Sequence, residues 1–226
     1  EVPTYKVNQK VLTFGTSDEA DFKITPVASN NSDVEFKNEA TVYKVPLLGD
    51  HQIYNGGITA MIGQILGLSE KQIQDGLKKV KASHNRSALL ELHGFDILDD
   101  SYKSNPQALL TGLNTTYTLK GYKNKIVVLG DMLELGENEK ELHYDVGTKI
   151  DPNEIHYALF YGPLSYEMYK GALENFPNNR AFYFKSKADA CDKLKQLITK
   201  STLVLVKGSH GMHMEEIIEC VRTLKI

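Results

Sequence analysis

Residues 97–106 read Ile97-Leu98-Asp99-Asp100-Ser101-Tyr102-Lys103-Ser104-Asn105-Pro106, and the fold turns on how this stretch is understood. An apolar run leads into two adjacent carboxylates, then Ser, Tyr, Lys, Ser, Asn and a proline. As buried core such a run is costly, and as a mere turn it is over-specified. A polar cluster at the carboxyl end of a strand points to a ligand site. Asp99 and Asp100 can accept hydrogen bonds from ribose hydroxyls or orient a cation. Pro106 suits the first turn of a following helix, whose unpaired N–H groups favour an anion. The plainer alternative is that Asn105 or Ser104 caps that helix and the aspartates are solvated.

Downstream and upstream of this stretch the pattern is an α/β one. Strands are expected at "FDIL", "KIVVLG", "HYALFYG", "AFYF" and "TLVLVKG". Helices are expected at Pro106–Tyr117, Glu137–Ile150, Leu164–Phe176, Lys187–Thr199 and Met212–Leu224. Such alternation predicts a mainly parallel sheet with helices on both faces. The segment before residue 48 is different. "KVLTFG", "DFKITPVA", "DVEFKN" and "ATVYKVPLL" alternate with period two between turn residues, as in half-buried antiparallel strands. From Asn55 the period lengthens: Ile58, Ile62, Ile65 and Leu66 share one helical face, and Gly67 ends the run. Ser69 with Gln72 forms a capping-box pattern ahead of Ile73, Leu77 and Val80. The polar "KASHNRS" places a domain boundary near residue 84.

Composition narrows the function. The 226 residues are 41% hydrophobic and 24% charged, as in an ordinary globular protein of one large or two small domains. A net charge of -3 argues against a general nucleic-acid binder. No apolar run approaches the ~18 residues of a membrane helix, and no signal peptide is visible, so no membrane insertion is expected. Cys191 and Cys220 show no metal-type spacing and read as reduced structural thiols of a cytoplasmic protein.

The other unusual polar clusters also follow predicted strands: "GDMLELGENE", "YGP" and "KGSHGMHME". In the last, Lys207 could meet a phosphate or carboxylate beside the backbone N–H groups of a glycine-bearing turn. A solvated lysine in a turn is the bland reading. His210 and His213 lack a third ligand, so no metal is expected there. GxxxxGK[ST], GxGxxG and GxSxG are all absent.

Taken in order, "LLGDHQIYNGGITAMIGQILGLSEKQIQDGL", "NRS", "DDSYKSNPQAL", "VVLGDMLELGENEKELHYDVG" and "LVLVKGSHGMHMEE" resemble the Mur ligases. The "GDM-ELG" and "KGS-GM-ME" signatures favour the branch that joins D-alanyl-D-alanine to UDP-N-acetylmuramoyl-tripeptide. That resemblance implies the end of a central ATP-binding domain over 1–84, partial and rich in antiparallel strands, and a C-terminal Rossmann-like domain over 85–226. The family's P-loop, its magnesium-binding acidic residue and its carbamylated lysine would lie upstream of Glu1. The piece alone is therefore expected to be inactive.

The resemblance also implies roles. His51 and Asn55 match the element that frames the adenine, with Gln52 where the family has Asn. Arg86 matches an arginine that contacts the nucleotide, and Asp100 an aspartate on the ribose hydroxyls. Tyr102, Ser104 and Asn105 match a loop facing the reacting centre, with Lys103 in place of the usual Asn. Asp131, Lys207 and Ser209 match motifs where the incoming dipeptide is expected, and Asn105 and Lys207 would act at the reacting centre. The implied chemistry is ATP- and Mg²⁺-dependent amide formation through an acyl phosphate, in peptidoglycan synthesis, by a cytoplasmic monomer. Two other readings stand beside it: another Mur or folylpolyglutamate-type ligase, and a nucleotide- or anion-binding module without catalysis.

Overall fold

The computed structural model describes residues 11–226 except 84 and 178. Lys10, which opens the first expected strand, and His84, in the expected connection, lie outside the described residues. Two compact units divide the chain, 1–80 and 81–226.

In the first unit, β1 (Phe14–Gly15) and β2 (Phe22–Lys23) pair in parallel. Strands β3 (Thr25–Ser29), β4 (Val34–Asn38) and β5 (Thr41–Val45) form an antiparallel sheet in that order. The period-two pattern survives in β4, where Val34, Phe36 and Asn38 are buried and Lys37 is exposed. Two helices follow, α1 (Gln52–Ile65) and α2 (Glu70–Leu77). The Ser69 hydroxyl accepts the Gln72 N–H while the Gln72 side chain accepts the Ser69 N–H, so the capping box is complete.

The face of α1 that carries Ile62, Ile65 and Leu66 is the outward one, with those residues 48, 59 and 72% exposed. The buried face is Ile53, Gly56, Gly57, Ala60 and Gly63. A Cβ on Gly56 would stand 2.6 Å from Val45 and 2.7 Å from Phe36. Bulky side chains cannot enter so narrow a gap, and the small residues take it. Helical periodicity marks a face without saying which face packs.

In the second unit the strands are β6 (Ala88–Glu91), β7 (Phe95–Asp100), β8 (Asn124–Gly130), β9 (Tyr157–Tyr161), β10 (Ala181–Phe184) and β11 (Thr202–Lys207). They form one sheet in the order β10-β9-β8-β11-β7-β6, parallel except for the antiparallel β6–β7 pair. The sequence pattern did not single out β6. Its residues are only partly buried and none is β-branched, so neither alternation nor composition marks it. The helices are α3 (Pro106–Thr118), α4 (Glu139–Thr148), α5 (Ser165–Ala172), α6 (Lys187–Leu197) and α7 (Glu215–Val221). A 3₁₀ turn at Gly136–Asn138 precedes α4, and another at His210–Met212 with His213 at φ 49° delays α7.

Alternation along the strands sorts the core. Phe95, Ile97, Ile126, Val128, Val204 and Val206 pack with α6 and α7 on one face. The intervening residues turn to the other face, where Gly112 of α3 comes against Leu205 and Lys207. On the first face Cys191 of α6 and Cys220 of α7 are joined by a disulfide, with S–S 2.09 Å and Cα–Cα 6.4 Å. This corrects the reading of both as reduced thiols. Spacing along the chain does not show that two helices will lie side by side, and here their packing brings the pair together.

Two outcomes are expected from this packing. Gly56→Ala should destabilise the first unit by about 1–3 kcal/mol through overpacking, although alanine is the better helix former by about 1 kcal/mol. Ile62→Gln should be nearly neutral, and denaturant unfolding compares the two. Alkylation without reductant should label neither cysteine by mass spectrometry, and reduction should lower stability by about 2–4 kcal/mol.

Candidate ligand cleft at the strand ends

Strand β11 lies between β7 and β8, and the chain leaves β7 towards α3 on one face and β11 towards α7 on the other. Such a divergence opens a crevice beyond the carboxyl ends of the strands. The register sets Lys207 directly beside Asp100 on neighbouring parallel strands, so both side chains leave on the same face. Lys207 Nζ meets Asp100 Oδ2 at 2.6 Å, with side chains only 2% and 15% exposed. Asp100 Oδ1 accepts the Ser87 N–H at 3.0 Å and the Ser87 hydroxyl at 3.3 Å. Lys207 also donates to the Lys103 carbonyl at 2.9 Å. Three donors on one carboxylate leave room for about one further hydrogen bond. A Cβ on Gly112 of α3 would stand 3.3 Å from Lys207 and 3.4 Å from Asp100, so the missing side chain lets the helix close over the pair.

Asp99 takes the opposite direction. It is 6% exposed and its Oδ1 accepts the Ser101 N–H at 3.1 Å and hydroxyl at 2.7 Å. The two adjacent carboxylates thus serve opposite faces of the sheet, as strand geometry requires.

Among the strand-end loops lies a cleft of about 370 Å³, which neither Asp100 nor Lys207 lines. Arg86, Tyr102, Ser104 and Ser209 line it, together with Lys103, Glu134 and His210. The Arg86 guanidinium lies 4.2 Å from the centre of the Tyr102 ring. Ser104 is 3% exposed, and its hydroxyl has no hydrogen-bond partner among the described residues. The Ser209 hydroxyl accepts the Leu133 N–H at 2.8 Å and donates to the Ser104 carbonyl at 3.4 Å, joining three strand-end loops.

Asn105 and Asp131 hold helices. The Asn105 side-chain oxygen accepts the Ala108 N–H at 2.8 Å and caps α3, as the plainer sequence reading had it. Asp131 is 1% exposed; its carboxylate accepts the Ser165 N–H at 2.6 Å and its carbonyl accepts the Ser209 N–H at 3.0 Å. Gly162 (φ +116°) makes this fit possible, because a Cβ there would overlap the Asp131 carboxylate. Asp131 therefore ties the ends of β8 and β11 to α5 and does not line the cleft.

Sequence reasoning missed three contributors: Ser87, His143 and His210. His143 is fully buried; its Nδ1 lies 2.6 Å from the Glu139 carbonyl and its Nε2 accepts the Met132 N–H at 2.9 Å. A donor to that carbonyl and an acceptor for that N–H require the neutral ring. Contacts from a helix back to a loop eleven residues away leave no periodic signal; His143 was visible only as one of seven histidines. His210 was weighed only as a metal ligand, and among the described residues no group of three or more His, Cys, Asp or Glu could hold a metal ion.

In the first unit His51, Gln52 and Asn55 meet at the start of α1. Gln52 Nε2 lies 3.0 Å from His51 Nε2, and Asn55 donates to Gln52 Oε1 at 2.9 Å. The residue that departs from the family pattern is the one that links the other two.

Removing one member of a buried ion pair leaves an uncompensated charge, so Lys207→Met or Asp100→Asn should each cost about 3–5 kcal/mol. The double variant should cost clearly less than the sum, which a denaturant double-mutant cycle measures.

Residues 85–210, more than half of the chain, match the Mur ligase, glutamate ligase domain. A UDP-N-acetylmuramoyl-tripeptide--D-alanyl-D-alanine ligase of Bacillus subtilis is 31% identical over 210 residues, covering 92% of this chain and 46% of that protein. A crystal structure of MurF from Acinetobacter baumannii superposes with a TM-score of 0.81 at 22% identity, over 92% of this chain and 46% of that one. MurF ligase from Thermotoga maritima in complex with ADP gives 0.76 at 21% identity, over 93% and 48%. The chain spans about half the length of these relatives. With the match covering most of the second unit, the chain belongs to the Mur ligase family.

Proposed function

We propose that the chain forms part of an ATP-dependent amide ligase that adds D-alanyl-D-alanine to UDP-N-acetylmuramoyl-tripeptide in peptidoglycan synthesis. The observation that carries this reading is the strand-end cleft, lined by Arg86, Tyr102, Ser104 and Ser209, residues to which the resemblance assigns site roles. The similarity to ligases named for that reaction supports the choice of acceptor. On this reading residues 1–84 are the end of the central ATP-binding domain, with His51 and Asn55 towards the adenine. Residues 85–226 are the C-terminal ligase domain.

Within the second unit the reading assigns distinct work. Arg86 contacts the nucleotide, and Asp100 offers its one remaining acceptor position to a ribose hydroxyl. The unpartnered Ser104 hydroxyl and Ser209 take the dipeptide, and Tyr102 walls the cleft. Asn105 and Lys207 contribute at the reacting centre by holding the loop between β7 and α3, through the helix cap and through the Lys103 carbonyl. Asp131 acts through the loops it ties. Closure of such a cleft excludes water that would otherwise hydrolyse an acyl phosphate.

The described residues offer no cluster fit for Mg²⁺, so no step is assigned to the metal here. No described helix is long and apolar enough to cross a membrane. A cytoplasmic location fits a reaction that consumes ATP, while the disulfide is unusual for a reducing compartment.

NMR of the isotope-labelled chain tests the acceptor. D-alanyl-D-alanine should shift the amides of Tyr102–Asn105 and Lys207–Gly211, whereas L-alanyl-L-alanine and diaminopimelate should not. Shifts with diaminopimelate or glutamate alone would indicate a different ligase, and shifts with ADP alone a nucleotide-binding module.

A further inference from the structure

His210 has no part in the assignment above, yet it lines the same cleft from the 3₁₀ turn after β11. Its ring centre lies 5.5 Å from that of Tyr102, the ring that also carries the Arg86 guanidinium. Lys103 lines the cleft beside them, and beneath it the Ser104 hydroxyl is buried without a partner. Two permanent cations, one imidazole and one unused hydroxyl thus line a single space with one carboxylate, that of Glu134. With donors and positive charge in the majority, a ligand carboxylate suits this set.

The charged surroundings of His210 can be named element by element. Arg86 approaches from the segment before β6, and Lys103 from the loop after β7. Glu134 lines the cleft from the loop after β8. On its own loop, His213 lies 6.0 Å from His210, with its Nδ1 3.2 Å from Glu215 Oε1 at the start of α7. Burial works to raise the Glu215 carboxyl, but its own backbone N–H, the His213 hydrogen bond and the charges of His213 and His210 hold it below the usual value. Lys187 of α6 reaches the His213 carbonyl at 3.1 Å and does not line the cleft. Glu134 and Glu215 thus bring negative charge to the surroundings of His210, and Arg86 and Lys103 bring positive charge.

We propose that His210 is a specificity-determining residue for the free carboxylate of the acceptor, and that its protonation sets how tightly the cleft holds that group. Protonated, it adds a third cation to the cleft. Neutral, it leaves the carboxylate to Arg86, Lys103 and the Ser104 hydroxyl. Affinity therefore falls as His210 loses its proton, and by linkage the bound carboxylate makes that proton harder to remove. The identity of the ligand rests on the dipeptide reading above; the recognition of a carboxylate does not.

The test titrates the chain with D-alanyl-D-alanine and with D-alanyl-D-alaninamide, which lacks the carboxylate. The pH runs from about 5.5 to about 7, a span over which imidazole ordinarily loses most of its charge while the dipeptide's carboxylate stays ionised and its α-amino group stays largely protonated. The dipeptide should weaken roughly fivefold across that span, the amide should not change, and the dipeptide should move the His210 imidazole titration to higher pH. His210→Gln should bind weakly and His210→Arg tightly, both without a slope, while His213→Gln keeps the wild-type slope. Dipeptide binding that is flat with pH and unaltered in His210→Gln overturns the inference and leaves the acceptor reading intact. The same slope with glutamate or diaminopimelate in place of the dipeptide keeps the clamp and overturns the acceptor. An unmoved His210 resonance with every carboxylate tried overturns the clamp itself.

Discussion

The ion pair between Asp100 and Lys207 is the constraint on which the second unit's working end depends. It joins the last residues of two adjacent parallel strands, on the face covered by α3, at 2.6 Å and almost out of water. Two such charges are tolerated only if their hydrogen bonds are satisfied, and the neighbours that satisfy them come from two loops. Ser87 arrives from the segment before β6, and the Lys103 carbonyl from the loop after β7. Satisfying the pair therefore fixes the loops, and the loops are the walls of the cleft. Ser209 and Asp131 continue the same bonding across to β8 and α5.

This arrangement gives the aspartate pair of the opening stretch a physical explanation. Asp99 and Asp100 look redundant in sequence, but a strand sends them to opposite sides. Asp99 secures Ser101, and Asp100 anchors the pair with Lys207. The stretch "DDSYKSNP" does structural work and also contributes to the cleft lining. Asn105 caps, Asp99 braces, and Tyr102 and Ser104 face the cleft.

What could be read from the sequence follows from which interactions are local. Alternating strand and helix, the Ser69–Gln72 box and the Asn105 cap each depend on residues within one turn, and each was legible. Strand β6 was not, because an edge strand half in water needs no strong alternation. Periodicity marked a face of α1 but not the buried one, where Gly56 rather than an isoleucine meets Phe36 and Val45. The disulfide and the His143 contact join segments far apart in sequence, and no pattern along the chain announces them. Lys207 was singled out for a ligand, and its partner Asp100 was singled out separately. Only the register between β7 and β11 shows that they satisfy each other.

Amide hydrogen exchange in the Lys207→Met variant tests the central claim most directly. The informative amides are those of Ser87, Leu133 and Ser209, each bonded to a group within the strand-end network, and that of Tyr102, bonded to the Asn85 carbonyl next to Arg86. If the ion pair holds the walls of the cleft, these four lose protection well beyond the amides of β8 and β9, whose ladder is untouched. Protection that falls equally throughout the sheet, or remains unchanged at those four amides, would contradict the account.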